Sequence, residues 1–306
     1  MNISKLTATQ DKMLDMEVEL QLGYTIPTSG RYDTSCMLSY KGEDIVRQIQ
    51  AIQTKAEAAK LDPTQANIIT GFHNLFRLSY LQECLIGEDI FPANSTLEYL
   101  EKALKGSPET DPLARKAQNL WDAVTKFLPT ERANSPIPNN HWATFTPEFL
   151  QAIHWIIGHN LISNAGTYRA NWCAPAHEDW VYLGPHLVEP ALKLLCTHVR
   201  QALDTDNNNN LSCRIQLAAS FLTNFLHIHP FFDGNGRVAR LAVSWLLADL
   251  TIVPIPLTSK QGCPHFLQYL QRSCSPDPPH ESTFSRLLLE SAFHTIRKAR
   301  FSLNLE

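Results

Sequence analysis

Glycine is scarce in this chain, with 12 in 306 residues, or about 4% where ~7% is usual. A chain with few glycines has few positions suited to left-handed turns, and regular helices are the expectation. No internal repeat is evident, nor any run of short strands separated by turn signals. Hydrophobic residues make up 44% of the chain, enough for a packed core, which excludes wholesale disorder. The sequence therefore predicts an all-α protein.

Basic charge is not in surplus either, since 26 Lys and Arg face 30 Asp and Glu and leave a net charge of −4. A surface that holds nucleic acid usually shows a basic excess, so no nucleic-acid partner is expected. The seven cysteines include no C-x-x-C pair. Their scatter argues against a zinc site and against a disulfide framework.

Long apolar segments are also missing. The N-terminus lacks the apolar core of a signal peptide. Two uncharged stretches, 149–168 and 215–232, are about long enough to cross a bilayer, but polar residues interrupt both, which favours buried helices. We therefore expect no membrane insertion, and a location in the cytoplasm or, after delivery, in another cell's cytosol.

The length of 306 residues predicts about two domains. Three prolines and several Asn and Ser within 128–142 indicate a loop or a domain join. We predict a helical N-terminal region at 1–140, for which a regulatory role is one interpretation, and a core at 141–306.

A stretch rich in aromatics at 166–185 predicts a short β-hairpin. Helical periodicity predicts helices at 43–61, 63–86, 96–104, 111–127, 146–163, 185–203, 211–227, 236–250, 263–273 and 281–300.

A loop that contains Gly-Asn-Gly joins two predicted helices within residues 229–240, whose sequence is HPFFDGNGRVAR. Gly234 and Gly236 allow the backbone to approach a ligand closely and to turn its N–H groups inward as an anion-binding nest. The helix that follows begins near Gly236, so its positive dipole end faces the same spot.

Charged side chains with complementary roles lie in the same segment. Arg237 and Arg240 are three residues apart and share a helical face, from which both can reach a polyphosphate. Asp233 supplies an oxygen ligand suited to Mg²⁺, and His229 can act as a base near neutral pH. Together these groups favour phosphate-transfer chemistry over an ordinary helix–loop–helix turn.

These residues resemble the signature of the Fic-domain family, H-x-F-x-[D/E]-G-N-G-R-x-x-R, at every specified position. Looser similarity covers roughly residues 141–300 and includes a turn at 164–169 and a helix at 241–250. Many relatives carry an Asn that faces the nucleotide where this chain has Ser244. The resemblance implies an all-α Fic catalytic core with a short β-hairpin flap, preceded here by the helical N-terminal region.

The resemblance also implies the reaction, which is transfer of AMP from ATP onto a Ser, Thr or Tyr hydroxyl of a target protein with Mg²⁺ as cofactor. His229 would take the proton from the hydroxyl, and Asp233 would hold Mg²⁺. The side chain of Asn235 would assist in binding the phosphates. The nucleotide-binding residues that it implies are Gly234, Asn235, Gly236, Arg237 and Arg240.

Two further regions take their interpretation from the resemblance. Residues 171–182 match the flap, where a target segment is held by strand addition, and an irregular loop over the core is the alternative.

Many Fic proteins are held inactive by a helix with [S/T]-x-x-x-E-[G/N], whose Glu pairs with the second Arg of the signature. The best match here begins at Ser79 and makes Glu83 the inhibitory carboxylate opposite Arg240. A surface position for Glu83 on an amphipathic helix is the alternative.

Other functions stay open at this point. An enzyme of the same fold can transfer phosphocholine or UMP, and an inhibited family member can remove AMP from its target. A non-catalytic nucleotide-binding adaptor is the alternative of another class, although such a protein would not need His229. The sequence determines neither the target protein nor the oligomeric state, and a homo-oligomer is compatible with it.

Overall fold

A computed structural model describes residues 42–60, 63–128, 141–174, 181–204, 210–251, 253–257 and 282–302. Within these ranges the chain forms nine α-helices and two 3₁₀ turns, and no strand is present. The helices are α1 (Gly42–Lys60), α2 (Pro63–Gly87), α3 (Leu97–Lys105), α4 (Pro112–Phe127), α5 (Pro147–Gly158), α6 (Val188–Asp204), α7 (Leu211–Ile228), α8 (Asn235–Leu247) and α9 (Ser282–Ser302). The 3₁₀ turns are His141–Thr144 and Pro185–Leu187. The predicted helix at 263–273 lies outside the described residues.

Several helices begin where a polar side chain caps their first turn. Thr96, Asp111, Thr146 and Asn210 each accept a hydrogen bond from a first-turn N–H of α3, α4, α5 and α7. Such a cap satisfies a donor that has no partner inside the helix. These caps fix the starts of the helices close to the positions that the sequence predicts.

The predicted helix at 236–250 extends three residues beyond the end of α8 at Leu247, and another predicted helix is too long by more. Residues 146–163 were expected to be helical throughout, whereas α5 ends at Gly158. The reason is local, because Asn160 adopts a left-handed backbone conformation with φ 55°, which terminates a right-handed helix.

The centre of the molecule is formed by α7 and α8. Every residue of α8 is buried except Gly236. Helix α7 packs against α8, α6 and α9, while α5 packs against α8 from another side. The loop between α7 and α8 is therefore held at both ends by the most buried helices of the described structure.

Helices on either side of the predicted domain join are in direct contact. Helix α4 precedes the join, α5 follows it, and the two pack together. Near the C-terminus, α9 packs against both α1 and α7. The division of the chain at residue 140 stays a prediction.

The predicted flap is described only at its two ends, because residues 175–180 lie outside the described ranges. The N–H of Tyr182 donates to the carbonyl oxygen of Cys173 at 3.0 Å, so the two arms meet. The strands of a β-hairpin stay a prediction.

Across the residues that the structure describes, no helix combines the length and the apolar character needed to cross a membrane.

Candidate active site

Two left-handed residues frame the loop between α7 and α8. His229 ends α7 with φ 47°, and its N–H donates to the carbonyl oxygen of Phe225 at 3.0 Å. Gly234 precedes α8 with φ 83°, a conformation that glycine adopts without a steric penalty. Between them, the fully buried Phe231 anchors the loop in the core.

The side chain of Asn235 closes this loop on itself. Its Oδ1 accepts from the N–H of Phe231 at 3.0 Å, and its Nδ2 donates to the carbonyl oxygen of Phe231 at 2.8 Å. The expectation that this side chain binds phosphate is therefore corrected, because both of its polar atoms are used by the backbone. The N–H of Asn235 lies in the first turn of α8, where amides have no acceptor within the helix.

His154 on α5 ties the loop to the segment that follows α5. Its Nδ1 accepts from the N–H of Gly166 at 2.8 Å, and its Nε2 lies 2.9 Å from the carbonyl oxygen of Asp233. Since a carbonyl can only accept, the imidazole carries its proton on Nε2. The ring also stacks on Phe231 at 3.8 Å between centroids. No sequence motif named above includes His154.

Asp233 presents its carboxylate at the mouth of the loop, with 63% of its side chain exposed. Its Oδ1 accepts from the N–H of Gly234 at 2.6 Å, and its Oδ2 accepts from Arg237 Nη2 at 3.1 Å. Among the described residues no cluster of three or more metal-binding side chains exists. A single exposed carboxylate beside an anion site fits Mg²⁺, which usually binds one or two carboxylates together with waters and substrate phosphates.

The signature arginines are buried and face a carboxylate from another helix. Arg240 is 1% exposed and donates through Nη1 to Glu88 Oε1 and through Nη2 to the carbonyl oxygen of Gly87 at 3.3 Å. Arg237 Nε lies 3.9 Å from Glu88 Oε2. Glu88 directly follows α2, near the negative end of its dipole, where a carboxylate is disfavoured. The two guanidiniums offset that cost.

The same carboxylate lies against the first turn of α8. A Cβ atom on Gly236 would collide with the carboxylate of Glu88 unless the Glu88 side chain moved. Glu88 thus occupies the place where a helix N-terminus and two arginines would bind a phosphate. An internal anion already fills the anion site that the sequence predicts.

The predicted inhibitory carboxylate is therefore corrected. Glu83 Oε1 lies 3.3 Å from Lys298 Nζ on α9, and the carboxylate that binds Arg240 is Glu88, five residues later. Ser79 lies half-buried on α2, one turn before Glu83.

The sequence does contain a signal for Glu88. Cys84-x-x-x-Glu88-Asp89 has the spacing of the inhibitory pattern, with Cys at the Ser or Thr position and Asp at the Gly or Asn position. Asp89 adopts φ 52°, a left-handed conformation that Asp and Asn tolerate better than most residues. A pattern that also accepts Cys at its first position and Asp at its last position would have identified this segment.

His229 lies half-buried, with its ring stacked on that of Tyr182 at 3.8 Å between centroids and 14° between planes. Burial, together with the nearby guanidinium of Arg169, lowers the pKa of His229 to about 4. The imidazole is therefore neutral at physiological pH and can accept a proton.

Ser244, which replaces the Asn of many relatives, is buried on α8. Its hydroxyl donates to the carbonyl oxygen of Ile255 at 2.9 Å. The hydroxyl of this side chain is therefore bound to the backbone of the segment after α8.

Comparison with known proteins agrees with the geometry. Residues 144–247 match the model of the Fic/DOC family. The protein adenylyltransferase Fic of Drosophila persimilis is 32% identical over 126 residues, which cover 40% of this chain and 23% of that relative. The match therefore spans about a quarter of the length of such curated relatives.

Two solved structures share the fold. A Fic family protein from Desulfovibrio desulfuricans G20 aligns with a TM-score of 0.62 at 17% identity, over 88% of this chain and 76% of its own. A Fic domain containing signaling protein from Bacteroides thetaiotaomicron VPI-5482 aligns with a TM-score of 0.58 at 18% identity, over 86% of this chain and 97% of its own. The chain therefore contains a domain at residues 144–247 that matches the Fic/DOC family, and its described helices share the fold of solved Fic proteins.

Proposed function

We propose that this chain transfers AMP from ATP to a hydroxyl side chain of a target protein, and that its nucleotide site is restrained by Glu88. The observation that carries the proposal is the carboxylate of Glu88 lying against Gly236 and bound to Arg240. It supports a site built to hold an anion next to the neutral imidazole of His229. Curated relatives named protein adenylyltransferase support the same chemistry.

His229 is the general base in this proposal. Its neutral imidazole takes the proton from the target hydroxyl, whose oxygen then attacks the α-phosphorus while pyrophosphate leaves. The stack with Tyr182 limits rotation of the ring. Base catalysis of this kind contributes about 10²- to 10⁴-fold in rate.

Phosphate binding in this proposal uses α8 and its arginines. The first-turn N–H groups of Asn235 and Gly236 face the phosphates, and Arg237 and Arg240 bind the β- and γ-phosphates by charge-assisted hydrogen bonds. Asp233 would hold Mg²⁺, which when bound neutralises charge that develops on the leaving pyrophosphate.

Glu88 competes with ATP for this site. Its carboxylate already uses Arg240, so the γ-phosphate binds there only after Glu88 has moved away. We infer a restrained enzyme whose resting affinity for ATP is low.

Removal of AMP from a modified target is the second candidate activity. Glu88 favours this removal, since a carboxylate at the edge of the phosphate site can position a water for attack on the phosphorus.

The protein target of either reaction would dock along the flap at 171–182 by strand addition.

Labelled donors test the proposed transfer. A lysate is incubated with the Glu88→Gly variant and one of four donors: α-labelled ATP, γ-labelled ATP, α-labelled UTP or choline-labelled CDP-choline. We expect protein labelling above that of the lysate without the variant from α-labelled ATP and from no other donor, and mass spectrometry of the product then gives the side chain. Labelling from UTP or CDP-choline instead would reassign the donor, and nucleotide binding without any labelling would indicate an adaptor.

A further inference from the structure

Arg169 lies between α5 and α6 with 3% of its surface exposed. Its guanidinium donates to four carbonyl oxygens: Nε to His229 at 2.6 Å, Nη1 to Asn171 at 2.9 Å, and Nη2 to Ile228 at 3.2 Å and to Leu183. Its own N–H donates to the carbonyl oxygen of Pro230 at 2.9 Å. Within the described ranges no carboxylate forms an ion pair with it.

A guanidinium buried without a carboxylate is costly unless its donors are satisfied. Arg169 meets that requirement with main-chain carbonyls, two of which belong to the last turn and C-cap of α7, where carbonyls have no partner within the helix. A cation is also favoured at that end of a helix. The planar fork of arginine presents five donors on three nitrogens and so spans acceptors that lie far apart, whereas the three donors of lysine share one nitrogen.

The four carbonyls belong to two functional segments. Ile228 and His229 carry the base, while Asn171 and Leu183 lie on the two arms that flank residues 175–180. A second link runs in parallel, since the ring of Tyr182, next to Leu183, stacks on the imidazole of His229. The base and the arms of the flap are therefore joined by one buried side chain and one ring contact.

We propose that Arg169 is a positioning residue that couples the arms of the flap to the imidazole of His229. It holds His229 in its left-handed conformation, φ 47°, which a residue other than glycine seldom adopts without support. It also holds Leu183, and thus the neighbouring Tyr182, at the distance at which the rings stack. Where this inference concerns catalysis, it rests on the proposed function.

The test compares two buried arginines. Arg77 on α2 also donates to main-chain carbonyls, those of Val124 at 3.0 Å and Leu128 at 2.6 Å, but it contacts neither His229 nor the flap arms.

In the Glu88→Gly background, Arg169→Met is expected to lower the AMP-transfer rate per folded molecule by about 10²-fold, the order expected for a base displaced by ~1 Å. Affinity for ATP is expected to stay within about twofold, because the groups that bind phosphate are unchanged. Arg77→Met should leave both rate and affinity unchanged.

A second readout does not depend on activity. Two-dimensional NMR of labelled histidine identifies the His229 ring signals by their loss in His229→Ala. The ring current of Tyr182 displaces these signals, so Arg169→Met and Tyr182→Leu are expected to shift them in the same direction, while Arg77→Met leaves them in place. Arg169→Lys, which keeps the charge but not the fork, should resemble Arg169→Met and replaces it if that variant does not fold.

Unchanged His229 signals in Arg169→Met and Arg169→Lys would overturn the inference, as would a transfer rate equal to that of Arg77→Met. If the parent transfers no donor, the proposed function fails, yet the NMR comparison still decides whether Arg169 positions the imidazole.

Discussion

At the scale of single residues, the site depends on side chains that main-chain groups hold in one orientation and one protonation state. Asn235 is fixed by the backbone of Phe231, and His154 bridges Gly166 and Asp233. The side chains that make these contacts take no part in the proposed reaction. The loop is thus pre-organised before nucleotide or target arrives.

His154→Phe tests this pre-organisation. The new ring can still stack on Phe231, but the hydrogen bonds to Asp233 and Gly166 are lost, and we expect a loss of about 2 kcal/mol in the free energy of unfolding. In the Glu88→Gly background, the Mg²⁺ concentration for half-maximal transfer should rise about tenfold, because the backbone that aims the Asp233 carboxylate is released. Denaturant unfolding and a Mg²⁺ titration measure the two effects.

His159→Phe is the matched control, since that side chain lies exposed one residue beyond α5. It should change neither quantity. A His154→Phe variant with the parent's Mg²⁺ dependence would show that the contact with Asp233 does not matter to the metal.

The protonation state of His229 is a second prediction at this scale. Because burial and Arg169 lower its pKa to about 4, the NMR signals of its ring should titrate far below the ordinary value of about 6.5. The transfer rate at saturating Mg²⁺ and ATP should then stay nearly constant between about pH 6 and about pH 8. Titration of the ring near or above its ordinary pKa would contradict the neutral-base description.

At the scale of elements, the end of α2 meets the beginning of α8 through the carboxylate of Glu88 and the carbonyl oxygen of Gly87. Glu88 follows α2, while Gly236 and the two arginines belong to α8. The negative end of one helix and the positive end of another face each other through this contact. Displacement of Glu88 is therefore coupled to the position of α2.

Glu88→Gly and Glu83→Gln separate the two carboxylates of this region. Glu88→Gly frees Arg240 and should raise both affinity for ATP and the initial rate of AMP incorporation by about tenfold or more, since a competing internal anion is gone. Glu83→Gln removes only the charge that faces Lys298 and should leave both within about twofold. Fluorescent-nucleotide titration and labelling with α-labelled ATP make the comparison. Equal behaviour of the two variants would refute the inhibitory role of Glu88.

At the scale of the whole molecule, an acidic chain has more buried cations than anions. The net charge is −4, yet in the part of the chain that the structure describes five arginines are buried, Arg77, Arg169, Arg214, Arg237 and Arg240, together with Glu290. Glu88 and Asp249, which are partly exposed, pair with Arg240 and Arg214. A positive interior favours an anionic ligand and disfavours protonated histidine. The same charge distribution supports both nucleotide binding and a neutral base.

Stability should accordingly fall on mild acidification. The pKa values of His154 and His229 are lowered by burial to about 4, and burial also lowers that of His227. In the unfolded chain these groups bind protons near pH 6.5, whereas the folded protein resists protonation until about pH 4, so stability is lost as the pH falls through this window. Thermal unfolding should show a Tm that decreases from about pH 6.5 to about pH 4.5, with a shallower slope in His229→Ala. A Tm that is flat or rises over this range would contradict the assignment.

Local patterns predicted the parts of the site that are close in sequence. His229, Asp233, the two glycines and the two arginines lie within one turn and one helix, and the structure brings them together. Glu88 escaped prediction because its contact with Arg240 spans 152 residues and because Cys84 and Asp89 relax the known pattern. The links made by His154 and Arg169 are to main-chain N–H and carbonyl groups, which leave no signature in the sequence.

The end of α5 shows the same limit at the level of an element. Apolar periodicity continued beyond Gly158, but a single left-handed residue, Asn160, ends the helix. Backbone conformation at such a position depends on the packing of the following turn, which contains Gly166 and faces His154.

The rate of AMP incorporation from α-labelled ATP, compared between Glu88→Gly and Glu88→Gly/His229→Ala, tests the proposed function most directly. The single variant should label target protein, and loss of the imidazole should lower that rate by about 10²-fold or more while ATP still binds. A double variant that labels as fast as the single one would show that His229 is not the base and would contradict the proposed mechanism.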